Sequence, residues 1–339
     1  MATVLAADLG GTKTLVRLVR TASDGPVQET LFERRYESGD FPSMDAVLSA
    51  FFEAASERGL TAAPNSACLA VAGPVTDHGA HQTAKVTNLP WQLASDKLQR
   101  DFGIARVRLV NDFVAVGYGV AAWSRRDDVV VYTGEENAER VAPRVVLGAG
   151  TGLGVCQIFY GDRASPLVCA SEGGHMDFAA QNDQQYRFRR FLSERYGHVS
   201  YDRVVCGSGI RDAFLFFAKE AGKEQDEAVQ RIVASDNPAA AISAAYSENA
   251  LCQAAIGLFF EIYGAMAGNL ALLALPFGGV FLAGGIAPKL REQLQSSRFV
   301  PCYLDKGRLS YIVERIPVFL IQDTSTGLAG AAYIAARGA

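Results

Sequence analysis

Ala7–Val19 reads Ala-Asp-Leu-Gly-Gly-Thr-Lys-Thr-Leu-Val-Arg-Leu-Val, an apolar run that breaks at Asp8-Leu9-Gly10-Gly11-Thr12 and resumes at Leu15. Two extended stretches, Val4–Ala7 and Leu15–Val19, around a glycine-rich tip predict a β-hairpin. The same device returns at Leu147–Phe159, Leu-Gly-Ala-Gly-Thr-Gly-Leu-Gly-Val-Cys-Gln-Ile-Phe, inside a second predicted hairpin over Arg144–Tyr160. A glycine-threonine tip between apolar strands, met twice, points to a duplicated unit with one copy per lobe.

The segments around each hairpin alternate in the manner of α/β lobes. Downstream of the first, Gln28–Tyr36 reads as a third strand and Ser43–Glu57 as an amphipathic helix. Cys68–Ala72 is a buried strand ended by Gly73-Pro74, Lys97–Phe102 belongs to a helix, and the strand Val107–Val110 runs directly onto Asn111-Asp112. Polar stretches, Ser124–Asp128 and Gly134–Arg140, precede the second hairpin. Beyond it the periodicity predicts helices over Gln184–Tyr196, Arg211–Ala221, Asp226–Ala234, Asn249–Leu275 and Lys289–Ser296, and strands over Val280–Ala283 and Val318–Ile321. Thr326–Ala336 is a helix of small residues, which needs a close packing partner. No low-complexity linker divides the chain, so the lobes are expected to abut through a cleft.

At 339 residues, 49% of them hydrophobic, the chain suits two packed lobes and needs no special staple. Its net charge of -4 is spread along the length, without the clustered Lys and Arg that nucleic acid or an anionic membrane requires. The six cysteines (Cys68, Cys156, Cys169, Cys206, Cys252, Cys302) show no metal-ligand spacing and read as small hydrophobes in a reducing compartment. Met1–Gly11 lacks the basic segment of a signal peptide. The apolar stretch Leu251–Phe281 carries Gln253, Glu261, Asn269 and Pro276, so a buried helix and strand fit it better than a membrane span. The expected location is cytoplasmic.

Five motifs carry candidate chemistry. The first tip, Gly10-Gly11-Thr12-Lys13, offers backbone N–H groups, a hydroxyl and a positive charge to phosphate oxygens, and Asp8 suits a magnesium ion held through water. Neither GxxxxGK[ST] nor GxGxxG fits it, so a Walker or Rossmann site is not indicated. The second tip, with Gly150 and Thr151, repeats the device, and two such clamps suit a triphosphate. An ordinary hairpin turn is the plain alternative for either one. Asn111-Asp112, where a buried strand gives out, can bind hydroxyls and take a proton from an attacking one, or cap the following helix; both roles can hold together. Glu172-Gly173-Gly174-His175 sets a carboxylate and an imidazole around two glycines, which suits a polyol, although a surface histidine reads the same way. Gly284-Gly285, after the strand Val280–Ala283, gives a purine ring a backbone to lie against, or a tight strand-to-helix turn.

Read in order, ADLGGT, AVAGPV, NLPW, VNDF, GAGTGLG, EGGH, YGHVS, FGGVFLAGGIAPK, DKGR and IPVFLI, from residue 7 to about 321, resemble the bacterial glucokinase family of the sugar kinase–actin superfamily. The resemblance implies a two-lobed α/β, actin-like ATPase/hexokinase fold with a ligand cleft between the lobes. The small lobe would be 1–111 plus about 318–339, and the large lobe 112–317. It implies ATP-dependent phosphorylation of glucose to glucose 6-phosphate, with Asp112 as general base. Asn111, Glu172, His175 and Asp202 would bind the sugar. Ala7, Asp8, Leu9, Gly10, Gly11, Thr12, Lys13, Gly150, Thr151, Gly284 and Gly285 would bind ATP, with Mg2+ at Asp8. Related ROK-type kinases carry a cysteine-rich zinc site after the Gly-His pair; Met176–Asp183 has no cysteine, so no structural zinc is expected. The chain departs from the family at Asp202-Arg203-Val204, where a sugar-binding Glu is usual, and at Cys206-Gly207-Ser208-Gly209, where Ser-Gly-Pro-Gly is usual. A kinase for mannose, fructose or an amino sugar, or a sugar-sensing relative without turnover, are the alternatives. Expected partners are a hexose, with a homodimer as an option, and neither nucleic acid nor membrane.

Overall fold

Both glycine-rich hairpins form, and each seeds a sheet of the same order. In the computed structural model, which describes residues 2–21, 27–122, 129–134, 141–161 and 165–337, β1 (Ala2–Leu9) pairs antiparallel with β2 (Lys13–Thr21). Outward of β2 lies β3 (Val27–Glu37). On the other side β1 runs parallel to β4 (Ser66–Val71), and β4 to β8 (Arg106–Asn111), giving the order β3-β2-β1-β4-β8. Along the chain between β4 and β8 come the strands of a separate small antiparallel sheet, β5 (Val75–Asp77), β6 (Gln82–Lys85) and β7 (Gln92–Ala94). Sequence periodicity missed it, because strands of three or four residues are too short to show alternation.

The second hairpin, β10 (Arg144–Ala149) with β11 (Leu153–Tyr160), lies in a sheet ordered β12-β11-β10-β13-β14-β9. Here β9 is Val129–Tyr132, β12 Pro166–Ser171, β13 Val280–Ala283 and β14 Val318–Leu320. The hairpin and its two parallel neighbours, β13 and β14, repeat the β2-β1-β4-β8 arrangement. Duplication, inferred from two tips, extends to the order of five strands.

The chain divides into two compact units: Met1–Arg125 with Val168–Ala170 and Ser325–Ala339, and Arg126–Leu167 with Ser171–Thr324. The boundaries expected at 112 and 318 therefore move. Helix Asp112–Ala122 stays with the first unit because it packs on helix Thr326–Arg337. Conversely, β14 stays with the second unit because its backbone pairs with β13. Ser124–Asp128 and most of Gly134–Arg140 lie outside the described residues.

In the first unit both faces of the central strands are covered, which is why they read as unbroken apolar runs. Leu5, Ala7, Leu9, Leu69 and Val71 pack with Met44, Val47, Leu48 and Phe51 of helix Met44–Ser56, whose N-cap Ser43 accepts the Ala46 N–H. Val4, Ala6, Cys68 and Ala70 pack on Leu328, Ala331 and Ala332 of helix Thr326–Arg337. The close partner its small residues call for is helix Asp112–Ala122: a β-carbon at Gly330 would stand 1.8 Å from the Ala115 carbonyl oxygen, so only glycine allows this approach.

The second unit is built around helix Ala250–Ala274, capped by Asn249, whose Oδ1 accepts the Leu251 and Cys252 N–H groups. It is long and apolar enough to cross a membrane, yet 72% of its most apolar window is buried against the unit's own core, and the Tyr263 hydroxyl donates to the Leu147 carbonyl at 3.1 Å. A helix apolar on all sides is what a core centre requires. Helix Gly207–Glu220 begins four residues ahead of the expected Arg211, because Cys206 Sγ accepts the Gly209 N–H as its cap. Helix Pro238–Ala244 was not expected at all, although Asn237 as cap and Pro238 at the first turn are its start signal.

Candidate functional site

In the first unit the candidate residues gather at the C-terminal ends of β1 and β8. The first tip is closed by a bond from the Gly10 N–H to the Lys13 carbonyl at 2.9 Å, and Thr12 and Lys13 are exposed. Ser38 supports it from beneath, donating from Oγ to the Gly10 carbonyl at 3.0 Å. Ala7 and Leu9, which the resemblance groups with the ATP contacts, have fully buried side chains in a strand paired on both edges. The tip itself, Gly10–Lys13, is what remains open to a ligand.

Asn111 ends β8 and Asp112 opens the following helix. The Phe113 N–H is accepted by Asn111 Oδ1 at 2.9 Å and by Asp112 Oδ1 at 2.8 Å. Capping, which the sequence allowed to Asp112, is thus shared with Asn111, whose Nδ2 also donates to the Gly73 carbonyl at 3.4 Å. Asp112 also acts on Asp8. Burial first, and the Asp112 charge second, push the Asp8 carboxyl up from its usual 3.8 to about 6. The N-terminus of helix Thr326–Arg337 stands beside this pair, since a side-chain carbon at Gly327 would lie 3.6 Å from Asp8 Oδ2. Sequence reading gave Gly327 no part.

In the second unit the backbone of Leu153, where β11 leaves the second tip, organises the other candidates. Its N–H donates to Asp202 Oδ1 at 2.7 Å, and its carbonyl oxygen would lie 2.0 Å from any β-carbon at Gly174. Glu172-Gly173-Gly174-His175 therefore wraps tightly onto β11 as a 3-10 turn, with Glu172 and His175 exposed on it. Asp202, expected to point a shortened arm at a sugar, spends one oxygen bracing the second tip.

The tip is held from the other side by the Gly207 N–H donating to the Gly150 carbonyl at 2.9 Å. Between them opens a cavity of about 670 Å³. Gly150, Thr151, Gly207 and Ser208 form one end, Ile210, Pro238, Ala239, Ile286 and Leu290 give apolar wall, and Arg211, Asp236 and Lys289 carry charge. Gly285 lines it as the sequence suggested, and Gly284 turns the chain there with φ 85°. Ser208, Arg211, Asn237 and Lys289 were missed, because what unites them is the meeting of three helices rather than a motif. A 14-residue helix with its N-terminus at the cavity, beside a glycine tip, suits phosphate, and the apolar wall suits a planar base.

A family model described as Glucokinase matches residues 5–338. The glucokinase of Nostoc punctiforme is 38% identical over 99% of this chain and 100% of its own. The crystal structure of a glucokinase from an Antarctic psychrotroph superposes with a TM-score of 0.82 at 29% identity, covering 99% of each chain. A ROK family glucokinase from Streptomyces griseus, solved with glucose and AMPPNP, shares the fold at 18% identity and a TM-score of 0.62, covering 98% of this chain and 99% of that one.

Proposed function

Because the chain belongs to the glucokinase family, and so is an enzyme of ATP-dependent glucose phosphorylation, we propose that Asp112 takes the proton of the sugar 6-hydroxyl as it attacks the γ-phosphorus. The observation that carries this is the Asn111-Asp112 junction: a buried strand delivers the pair to the start of a helix, and Asn111 shares the capping duty. A carboxylate is the group type that takes a hydroxyl proton, as phosphoryl transfer to an alcohol requires. Asn111, and in the second unit Glu172 and His175, bind sugar hydroxyls; the exposed Glu172 and His175 side chains have the acceptor and donor chemistry for that task.

The donor nucleotide occupies the cavity of the second unit. Its base lies against Ile286, Pro238 and Ala239, and its phosphates lie toward Gly150, Thr151 and the Gly207–Ser208 helix start. An apolar wall favours a nucleotide over polyphosphate, which has no base to bury. Asp8 and Asp112 fit a magnesium ion, because the buried Asp8 carboxyl, further raised by the Asp112 charge, is relieved by a divalent cation. Bound there, Mg2+ supplies charge neutralisation for phosphate oxygens. The Gly10–Lys13 tip adds N–H donors and the Lys13 ammonium.

The test is a coupled assay with ATP and magnesium over a hexose panel, run on the parent and on Asp112→Asn. Glucose should be the preferred substrate. The variant should bind glucose in calorimetry with kcat reduced about 10²–10⁴-fold, the usual contribution of a general base. Turnover within a few-fold of the parent, with binding intact, would remove Asp112 from that role.

A further inference from the structure

Asp212 is a carboxylate with no part in the chemistry assigned so far, and its side chain is only 1% exposed. It stands on helix Gly207–Glu220, and its partners are two guanidiniums and a phenol. Asp212 Oδ1 accepts from Arg211 Nη2 at 2.7 Å, from Arg211 Nε at 3.0 Å and from Arg195 Nη1 at 3.2 Å. Oδ2 accepts from the Tyr196 hydroxyl at 2.7 Å. Arg211 Nη2 also reaches the Tyr196 oxygen at 3.5 Å. A buried carboxylate is costly even when paired, and an apolar side chain of similar size would stabilise the helix at least as well. The arrangement makes sense when its product is considered, which is a guanidinium held in one place.

Arg211 lines the nucleotide cavity, one helical turn beyond Gly207, and its side chain is 27% exposed. A guanidinium has five N–H donors. Nε and Nη2 both donate to Asp212, which fixes the plane of a guanidinium that lines the cavity. The charged residues of the lining are Arg211, Lys289 and Asp236, a surplus of one positive charge. A nucleoside has no charge to meet it, whereas phosphates do.

We propose that Asp212 is a positioning residue, which with Tyr196 locks the Arg211 guanidinium in the cavity wall as a ligand for the phosphates of the donor nucleotide. This rests on reading the cavity as the nucleotide site. The Arg-Asp pair lies just past the Cys206–Gly209 segment, in a helix otherwise given over to packing and to the cap of the second tip.

Calorimetry with ADP and with adenosine, together with steady-state kinetics, tests it on Arg211→Met, Arg211→Lys and Asp212→Asn. Arg211→Met and Asp212→Asn should weaken ADP roughly ten- to a hundredfold, as loss of a charge-assisted hydrogen bond does, and leave adenosine within about twofold. KM for ATP should rise in step while KM for glucose stays put, and Arg211→Lys should recover part of the loss. Should Asp212→Asn fold poorly, Arg211→Met, altered only at a partly exposed side chain, still decides the matter. Equal losses of ADP and adenosine would mean the network is merely structural and would overturn the proposal, as would parent-like ADP binding in Arg211→Met. Ala240→Trp, which fills the cavity from another wall, separates this from the reading beneath it. If that variant keeps full ADP affinity, the nucleotide site is elsewhere and both readings fall. If it loses ADP while Arg211→Met does not, only the role of Arg211 and Asp212 falls.

Discussion

Asp8 is pulled between folding and function. Buried beside Asp112, its carboxyl keeps a proton to about pH 6 in the folded chain, against 3.8 ordinarily. Folding therefore favours the acid form. That contribution to stability is complete below pH 3.8 and is lost as pH rises through 6. Asp8→Asn, which is always neutral, should be more stable than the parent at pH 7 by on the order of 2 kcal/mol, and its stability should vary less between pH 4 and 7. Urea unfolding in EDTA without nucleotide measures both; a variant no more stable than the parent at pH 7 would show that Asp8 is not strained. Activity should fall in the same variant if Asp8 holds the magnesium ion proposed for it, since the unfavourable charge is the one that ion requires. Asp202 makes a different bargain. One carboxylate oxygen is committed to the Leu153 N–H at 2.7 Å, so the side chain braces the second tip whatever else it does. From sequence alone, changes at Asp202 are expected to move KM for the sugar and spare ATP. The bond to Leu153 alters that expectation: Asp202→Ala should raise KM for ATP about fivefold, the cost of one hydrogen bond near 1 kcal/mol. An ATP KM that does not move would mean the tip keeps its shape without Asp202.

At the scale of elements, the pairing of helices Asp112–Ala122 and Thr326–Arg337 holds the first-unit site in place. Gly330 meets the Ala115 carbonyl, Gly119 meets that of Thr326, and Gly327 lies against Asp8. The helix that begins with Asp112 can sit this close only because its partner has no side chain at the crossing. Gly330→Val should force the helices apart, destabilise the chain by about 2–4 kcal/mol through overpacking, and shift Asp112 enough to lower kcat. Denaturation midpoints and kcat should fall together; a variant with parent stability would show that the approach is looser than the backbone distances indicate.

For the molecule as a whole, each unit owns a core and a sheet, and the cavity proposed for the nucleotide lies entirely within the second. Binding there should stabilise by linkage, about 2.7 kcal/mol at a hundred times Kd. Hydrogen exchange with saturating ADP should slow most at Gly150–Leu153, Gly207–Arg211 and Gly284–Leu290. Protection centred on the β5–β7 sheet instead would place the nucleotide in the first unit.

Both hairpins, the strands leading to Asn111 and Gly284, the long core helix and the need of the last helix for a close partner were legible in the sequence. Each is set locally, by glycine at a turn or by the period of apolar residues, and ten short segments in order sufficed to identify the family resemblance. Tertiary structure alone decided that Asp202 serves the Leu153 amide and that helix Asp112–Ala122 stays with the first unit. It alone brought Ser208, Arg211, Asn237 and Lys289 around one cavity and tied Arg211 to Asp212 and Tyr196. A polar side chain's role is set by the donors and charges around it in space, and for Asp202, Tyr196 and the cavity residues these include groups from a different helix, strand or turn, which local periodicity does not encode.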